Sequence, residues 1–211
     1  MNLKFNNLEK RILDISYKNN LSHLSSSLGS VNIIDEIYSI KKNDEPFILS
    51  NGHSGLALYV VLEKYFGIDA EYLFHKHGVH PNRDLDDKIY FSTGSLGCGI
   101  TAACGMALAD KNRNVYCLIS DGESFEGSVY ESLNLIHKYK IKNLKTYCNV
   151  NGYSALCDLD KLEISKRLKN LMPEMQIVFT DYIYKKFKFL NGLSGHYNTL
   201  TEKDIDAQNI F

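Results

Sequence analysis

The sequence contains no tryptophan, only three prolines and no long apolar run. No stretch approaches the roughly 20 consecutive apolar residues that a membrane-spanning helix requires, and residues 1–13 lack the apolar core of a signal peptide. The 24 basic and 25 acidic residues give a formal net charge of -1, and neither sign forms a long block. This balance argues against nucleic acid or an anionic membrane as a partner. We therefore expect a soluble, cytoplasmic protein.

Cysteines and histidines show no pattern typical of a metal site. His75, His77 and His80 are close in sequence, but their spacing matches no common zinc site. Several cysteines lie in apolar patterns, so we expect buried free thiols and a reducing compartment. The five cysteines are Cys98, Cys104, Cys117, Cys148 and Cys157. With 211 residues and 44% hydrophobic content, the chain is most simply one domain, residues 1–211.

Two short apolar runs, residues 114–120 and 144–150, contain many β-branched and aromatic side chains. Such runs are typical of buried parallel strands. Residues 126–140, between them, carry apolar side chains at helical spacing. The resulting strand, helix, strand unit predicts an α/β fold with a parallel sheet.

The remaining elements follow from the same periodicities. Residues 21–30 predict a polar loop, in which Ser30 would cap the helix that carries Ile33, Ile37 and Ile40. A first helix is predicted around residues 8–18, and a last helix begins near residues 200–205. We further predict helices at 56–65, 99–109 and 161–171, and strands at 46–50 and 176–180.

Asp121 and Asn151 each follow one of the two central strands. Because the carboxyl ends of parallel strands meet at one edge of a sheet, both side chains should face one crevice. One carboxylate, one amide oxygen and one main-chain carbonyl suit magnesium, and the Gly122 turn with the helix after it offers N–H donors to an anion. The sequence therefore indicates a magnesium-diphosphate site, and two ordinary turns are the alternative.

Two strings together resemble the thiamine-diphosphate motif of transketolases. The first runs from Asp121 to Gly127, and the second, Asn151-Gly152-Tyr153, begins 30 residues after Asp121. The resemblance implies thiamine diphosphate and Mg²⁺ as cofactors. It also implies Asp121, Asn151 and the carbonyl of Tyr153 as metal ligands, with Gly122 beside the diphosphate. The fold it implies is the family's parallel sheet with helices on both faces, here with a shortened C-terminal part.

Further strings resemble the family in the same order along the chain. Asn51-Gly52-His53 is similar to the loop whose histidine contacts the diphosphate and the reacting centre, although a capping residue is the alternative. Thr93 to Gly97 is similar to the loop that shapes the aminopyrimidine pocket, which implies that role for Gly94, Ser95 and Leu96. A plain glycine turn is the alternative.

The resemblance extends to four other positions. It implies substrate contacts for His23 and His80, a diphosphate contact for His196, and a role for Glu126, one turn into the helix, in coupling two cofactor sites. A solvated loop histidine is the alternative for His23. A first-turn acid that favours the helix dipole is the alternative for Glu126.

The function that the resemblance implies is transfer of a two-carbon ketol group from a ketose to an aldehyde. In the family, a second domain supplies the glutamate that activates the aminopyrimidine. Since this chain has no counterpart, we expect a partner of the C-terminal type, encoded separately, and an α2β2 assembly. The donor and acceptor sugars are not defined. The alternatives are a deoxyxylulose-phosphate-synthase-like enzyme, a non-catalytic binding or scaffold subunit, and a magnesium-dependent phosphohydrolase that uses Asp121.

Overall fold

The computed structural model describes residues 6–190 and 197–208. In these ranges the chain forms a four-stranded sheet in the order β1-β2-β3-β4, with every neighbouring pair parallel. The predicted α/β class and parallel sheet are confirmed. The strands are β1 (Phe47–Leu49), β2 (Val115–Ser120), β3 (Leu144–Val150) and β4 (Gln176–Phe179).

Helices surround the sheet, and most of them match the predicted ones within one or two residues. The described α-helices are α1 (Asn7–Lys18), α2 (Leu24–Ile40), α3 (Gly55–Phe66), α4 (Ala70–His77), α5 (Cys98–Ala109), α6 (Gly127–Tyr139), α7 (Lys161–Leu171), α8 (Tyr182–Lys186) and α9 (Glu202–Gln208). Short 3-10 turns lie at Gly52–Ser54, Gly122–Phe125 and Lys188–Leu190. Neither α4 nor α8 was predicted from the sequence.

Alternation of side chains along the strands produces two cores, one on each face of the sheet. In β2, Tyr116 and Leu118 contribute to the core that α1, α2 and α3 cover. Cys117 and Ile119 point to the opposite face, into the core that α5, α6 and α7 cover. All six residues of β2 are buried, as expected for a parallel strand with helices on both sides.

The loop predicted for residues 21–30 is wrong, because α2 already begins at Leu24. Ser30 is fully buried inside this helix and does not cap it. Its hydroxyl accepts hydrogen bonds from the side-chain amides of Asn51 (3.3 Å) and Asn149 (3.2 Å). Partners from other elements therefore satisfy a serine that the local sequence suggested was solvated.

No helix among the described residues is long and apolar enough to cross a membrane. All five cysteines are free thiols. Cys104, Cys117 and Cys148 are buried as predicted, whereas Cys98 and Cys157 are exposed.

Candidate functional site

Asp121 joins the ends of the two central strands. It follows β2 directly, and its Oδ2 atom accepts hydrogen bonds from the backbone N–H groups of Asn151 (3.0 Å) and Gly152 (2.7 Å), which follow β3. Its Oδ1 atom accepts from the N–H of Gly122 at 3.0 Å. The two halves of the motif therefore meet at one edge of the sheet, as their positions after parallel strands predicted.

The Asp121 carboxyl group is buried and belongs to no ion pair among the described residues. Asp121 is 0% exposed, and burial raises its pKa to about 6, although hydrogen bonds from backbone N–H groups, that of Gly152 first among them, oppose this shift. None of the ion pairs within residues 6–190 and 197–208 includes Asp121. A buried carboxylate outside any of these ion pairs is suited to a hard divalent cation.

The other two predicted metal ligands belong to Asn151, whose N–H donates to this carboxylate, and to Tyr153 two residues later. The Asn151 Oδ1 atom accepts from the Tyr153 N–H at 2.8 Å, and this bond holds the amide oxygen in a fixed orientation. Gly152, between them, has a φ of 91°, which a residue with a Cβ rarely adopts. The donor set of carboxylate, amide and main-chain carbonyl oxygens fits Mg²⁺.

Tyr184 is a residue of this region that the sequence interpretation missed. Its ring packs edge to face on the ring of Tyr153, with 4.9 Å between centroids. Burial raises the pKa of the Tyr184 hydroxyl, and the nearby Asp121 carboxylate raises it further. No local sequence signal pointed to this tyrosine, because the contact joins α8 to the loop after β3.

The segment between Asp121 and α6 differs from the predicted one. A 3-10 turn follows Asp121 directly, and Glu126 is the exposed N-cap residue of α6. The prediction that Glu126 lies one turn into the helix is wrong. The N–H of Gly122 already donates to Asp121, so that donor is engaged within the protein.

Three of the four predicted histidines converge. The ring centroids of His23 and His53 are 5.9 Å apart, and the Tyr197 ring lies 5.9 Å from His23. Burial lowers the pKa of His23, and the charge of nearby His80 lowers it further. His23 has a left-handed backbone (φ 60°) at the start of α2. The predicted His196 lies outside the described residues.

The glycine-containing loop that carries Gly94, Ser95 and Leu96 lies against both other histidine loops. A Cβ on Gly94 would lie 3.3 Å from the His80 ring, and a Cβ on Gly52 would lie 2.7 Å from the Gly94 nitrogen. Backbone therefore packs directly on backbone here, as the glycines permit. Ser95 is exposed and Leu96 is half-buried.

His77 lies with two aspartates, but this cluster is an ion-pair network. Its Nε2 atom is 2.8 Å from Asp87, and one ligand atom from each of His77, Asp84 and Asp87 lies within 4.8 Å of the others. The Lys76 ammonium lies 2.9 Å from Asp84 and 2.7 Å from Asp87. Because this ammonium already forms ion pairs with both carboxylates, the cluster gives no support for a zinc site.

Comparison with known proteins identifies the family to which this chain belongs. The sequence profile described as "Transketolase, thiamine diphosphate binding domain" matches residues 35–161. The chain therefore belongs to the transketolase family, through its thiamine diphosphate-binding domain. It is 32% identical, over 183 residues, to one of the subunits of the apulose-4-phosphate transketolase of Phocaeicola vulgatus, a match that covers 77% of this chain and 62% of that protein.

Other relatives match over a smaller share of their length. Human transketolase is 38% identical over 123 residues, which cover 52% of this chain and 19% of the human protein. The chain therefore spans less than two thirds of the length of these curated relatives. Among solved structures, the transketolase of Leishmania mexicana has the same fold, with a TM-score of 0.61 at 20% identity over 82% of this chain and 35% of that one.

Proposed function

We propose that this chain is the thiamine diphosphate-binding subunit of a two-subunit transketolase, which transfers a two-carbon ketol group from a ketose to an aldehyde. The proposal depends on the position of the Asp121 carboxylate, which accepts hydrogen bonds from the N–H groups of Asn151 and Gly152 after β3. This contact brings the two parts of the metal motif together. The Phocaeicola relative is by its name a transketolase subunit, which supports a division between two chains. The proposed unit is one cofactor-binding domain, residues 1–211.

The metal and the diphosphate would be held at the carboxyl edge of the sheet. Asp121, Asn151 and the carbonyl of Tyr153 would bind Mg²⁺, and Gly122 would lie beside the diphosphate. Thiamine diphosphate, when bound, supplies the electron sink for breaking and forming a carbon–carbon bond. Gly94, Ser95 and Leu96 would contact its ring. Glu126 lies at the start of α6, where it would link this site to a second one.

The histidines would orient hydroxyl groups and move protons. Burial and the neighbouring His80 keep the pKa of His23 below its usual value, so this ring is neutral at pH 7 and can accept a proton. His53 lies beside it, and His80 lies against the Gly94 loop. His196 keeps its proposed contact with the diphosphate.

A partner subunit would supply the glutamate that activates the aminopyrimidine in the family. We propose that a separately encoded C-terminal-type subunit covers the surface on which Ser95 and His80 are exposed. The two chains would form an α2β2 assembly in the cytoplasm. The five free thiols are consistent with a reducing compartment. The substrates are small sugars, and by its name the Phocaeicola relative acts on apulose-4-phosphate.

Calorimetric titration with thiamine diphosphate and Mg²⁺, with and without the partner, tests the proposal. Asp121→Asn should lower the magnesium-dependent affinity by more than about tenfold, because it removes the only charge of the donor set. Glu45→Gln is a matched control, since Glu45 is also buried but precedes β1 at the opposite edge. Its affinity should equal that of the wild type.

The enzymatic readout separates the alternatives. Ketol transfer only in the mixture supports the proposal. Pyruvate decarboxylation would indicate a deoxyxylulose-phosphate-synthase-like enzyme, and phosphate release by the chain alone would indicate a phosphohydrolase. Absence of cofactor binding even with the partner would indicate a non-catalytic subunit.

A further inference from the structure

A second buried carboxylate lies at the same edge of the sheet, and the proposed reaction does not use it. Glu123 is 0% exposed and belongs to the 3-10 turn Gly122–Phe125, two residues after Asp121. The sequence interpretation assigned it no role. A fully buried glutamate needs several hydrogen bonds to offset the loss of its hydration.

The hydrogen bonds of Glu123 join three segments of the chain. Its Oε1 atom accepts from the N–H of Gly97 and from the hydroxyl of Ser50, each at 2.7 Å. Its Oε2 atom accepts from the N–H of Ser120 at 3.1 Å. The side chain thus connects the end of β1, the end of β2 and the residue just before α5. Hydrogen bonds to a carboxylate are stronger than neutral ones, and burial strengthens them further.

Ser50 extends this connection to the first turn of α5. Its hydroxyl oxygen also accepts from the N–H of Ile100 at 3.2 Å. A Cβ on Gly99 would lie 2.5 Å from the Ser50 Cα, so the helix and the strand end are in direct contact. Glu123 and Ser50 together therefore fix the position of the first turn of α5 relative to the sheet.

We propose that Glu123 is a positioning residue that keeps the 94–97 loop in register with the metal motif. The inference rests on the proposed function, in which that loop contacts the cofactor ring and Asp121 binds the metal. Asp121 caps the 3-10 turn through Gly122, and Glu123 extends from the same turn to Gly97. One short turn therefore links the 94–97 loop, proposed to contact the cofactor ring, to Asp121, proposed to bind the metal. A shift of this loop would alter the contacts with the cofactor ring.

The chemistry of this position requires a carboxylate. Three donors converge on two oxygens. Glutamine has nearly the same size but only one acceptor oxygen, so Glu123→Gln places an NH₂ group against at least one N–H or O–H donor. The variant should therefore loosen the loop without creating a cavity. Ser50→Ala is a milder change, which removes one of the three donors and the acceptor of the Ile100 N–H.

Two measurements on the full chain test the inference. Hydrogen exchange reports the protection of residues 94–100, and calorimetry, with the partner present, compares thiamine diphosphate with inorganic diphosphate, both with Mg²⁺. In Glu123→Gln we expect faster exchange of this segment and an affinity for thiamine diphosphate lower by about 10- to 100-fold. Magnesium diphosphate should bind within about threefold of the wild type, since Asp121 keeps its own hydrogen bonds from Gly122, Asn151 and Gly152.

The other variants separate positioning from general destabilisation. Ser50→Ala should change exchange and ring-dependent affinity in the same direction by a smaller factor, and Glu45→Gln should change neither. The inference is overturned if Glu123→Gln leaves both exchange and thiamine diphosphate affinity unchanged in a chain whose wild type binds the cofactor. An equal loss of both ligands also overturns it, because it indicates collapse of the whole edge. If the wild type binds neither ligand, the proposed function fails and this inference fails with it.

Discussion

Replacing Asp121 by asparagine should remove a specific pH dependence from the stability of the metal-free chain. Burial raises the pKa of Asp121 from 3.8 to about 6, so the folded protein holds this proton more tightly than the unfolded chain does. The stabilisation that results is complete below pH 3.8 and is lost as the pH rises through about 6. Above that range, the folded chain contains a buried carboxylate that favours unfolding.

The magnitude follows from the size of the shift. A shift of about two units corresponds to about 3 kcal/mol between the fully protonated and the fully ionised group. About 2 kcal/mol of this falls between about pH 4.5 and 7.5, where urea unfolding is practical. Asparagine does not titrate, so the cost of exchanging an acceptor for an NH₂ group is the same at every pH. The difference in slope between the two proteins therefore isolates the Asp121 carboxyl group.

Urea unfolding in EDTA, at intervals between about pH 4.5 and 7.5, measures this slope. Asp181→Asn is a matched control, because Asp181 follows β4 at the same edge, but the Lys161 ammonium, 2.6 Å away, holds its pKa below the usual value. Asp181 is ionised in both states across most of this range, so that variant should run nearly parallel to the wild type. Parallel curves for wild type and Asp121→Asn would refute the reasoning, because they would show that the carboxyl group is not shifted by burial.

Replacing two glycines of α5 by alanine should change the stability of the protein in opposite directions. Separately, two of the five thiols should react with a thiol reagent in the native state. Gly99→Ala should cost about 2 kcal/mol or more, because the new Cβ would lie 2.5 Å from the Ser50 Cα. Gly105→Ala should stabilise by about 0.5–1 kcal/mol, because nothing lies within 4 Å of the new Cβ. Urea unfolding measures both. A thiol reagent should titrate exposed Cys98 and Cys157 first, and the other three only after unfolding.

The sheet and the central motif were predictable because each depends on short-range patterns. A strand buried on both faces is rich in apolar residues; β2 is buried at every position, and β3 is buried at every position except Lys145. Parallel pairing then places the residues after both strands at one edge without further information. The contact between Asp121 and the N–H groups of Asn151 and Gly152 follows from that topology.

The beginning of α2 was not predictable from local sequence, because the buried Ser30 within it is satisfied by other elements. Asn149 in β3 donates to Ser30, and its Oδ1 atom accepts from the hydroxyl of Thr180, after β4. Asn51 contributes a further amide from the end of β1. Such a network forms only when three strands and one helix are already packed, so a stretch rich in serine alone favours a loop.

Glu123 was overlooked for the same reason. In the sequence it is one acid among several near Asp121, and nothing local distinguishes it from the exposed Glu126. Only the fold reveals that its carboxylate lies against Gly97 and Ser50, which are 26 and 73 residues away. Long-range hydrogen bonds of this kind have no periodic signature.

The distribution of exposure across the site leads to a last prediction. Asp121 is buried, whereas Ser95 and His80, at the loop proposed to contact the cofactor ring, are exposed. If a partner covers this loop, part of the cofactor's binding energy comes from that partner. Thermodynamic linkage then requires the partner to raise the cofactor's affinity and the cofactor to raise the partner's affinity by the same factor. Typical coupling of about 1–3 kcal/mol corresponds to about 5- to 150-fold.

Two titrations measure this coupling independently. Calorimetry gives the affinity for thiamine diphosphate with and without saturating partner, and sedimentation gives the affinity between the two proteins with and without saturating cofactor. Equal factors above about fivefold support a site completed by a second chain. Inorganic diphosphate is the matched probe, because its proposed contacts lie near buried Asp121, and it should show little coupling. A cofactor affinity that is the same with and without the partner would show that this chain alone forms the whole binding site.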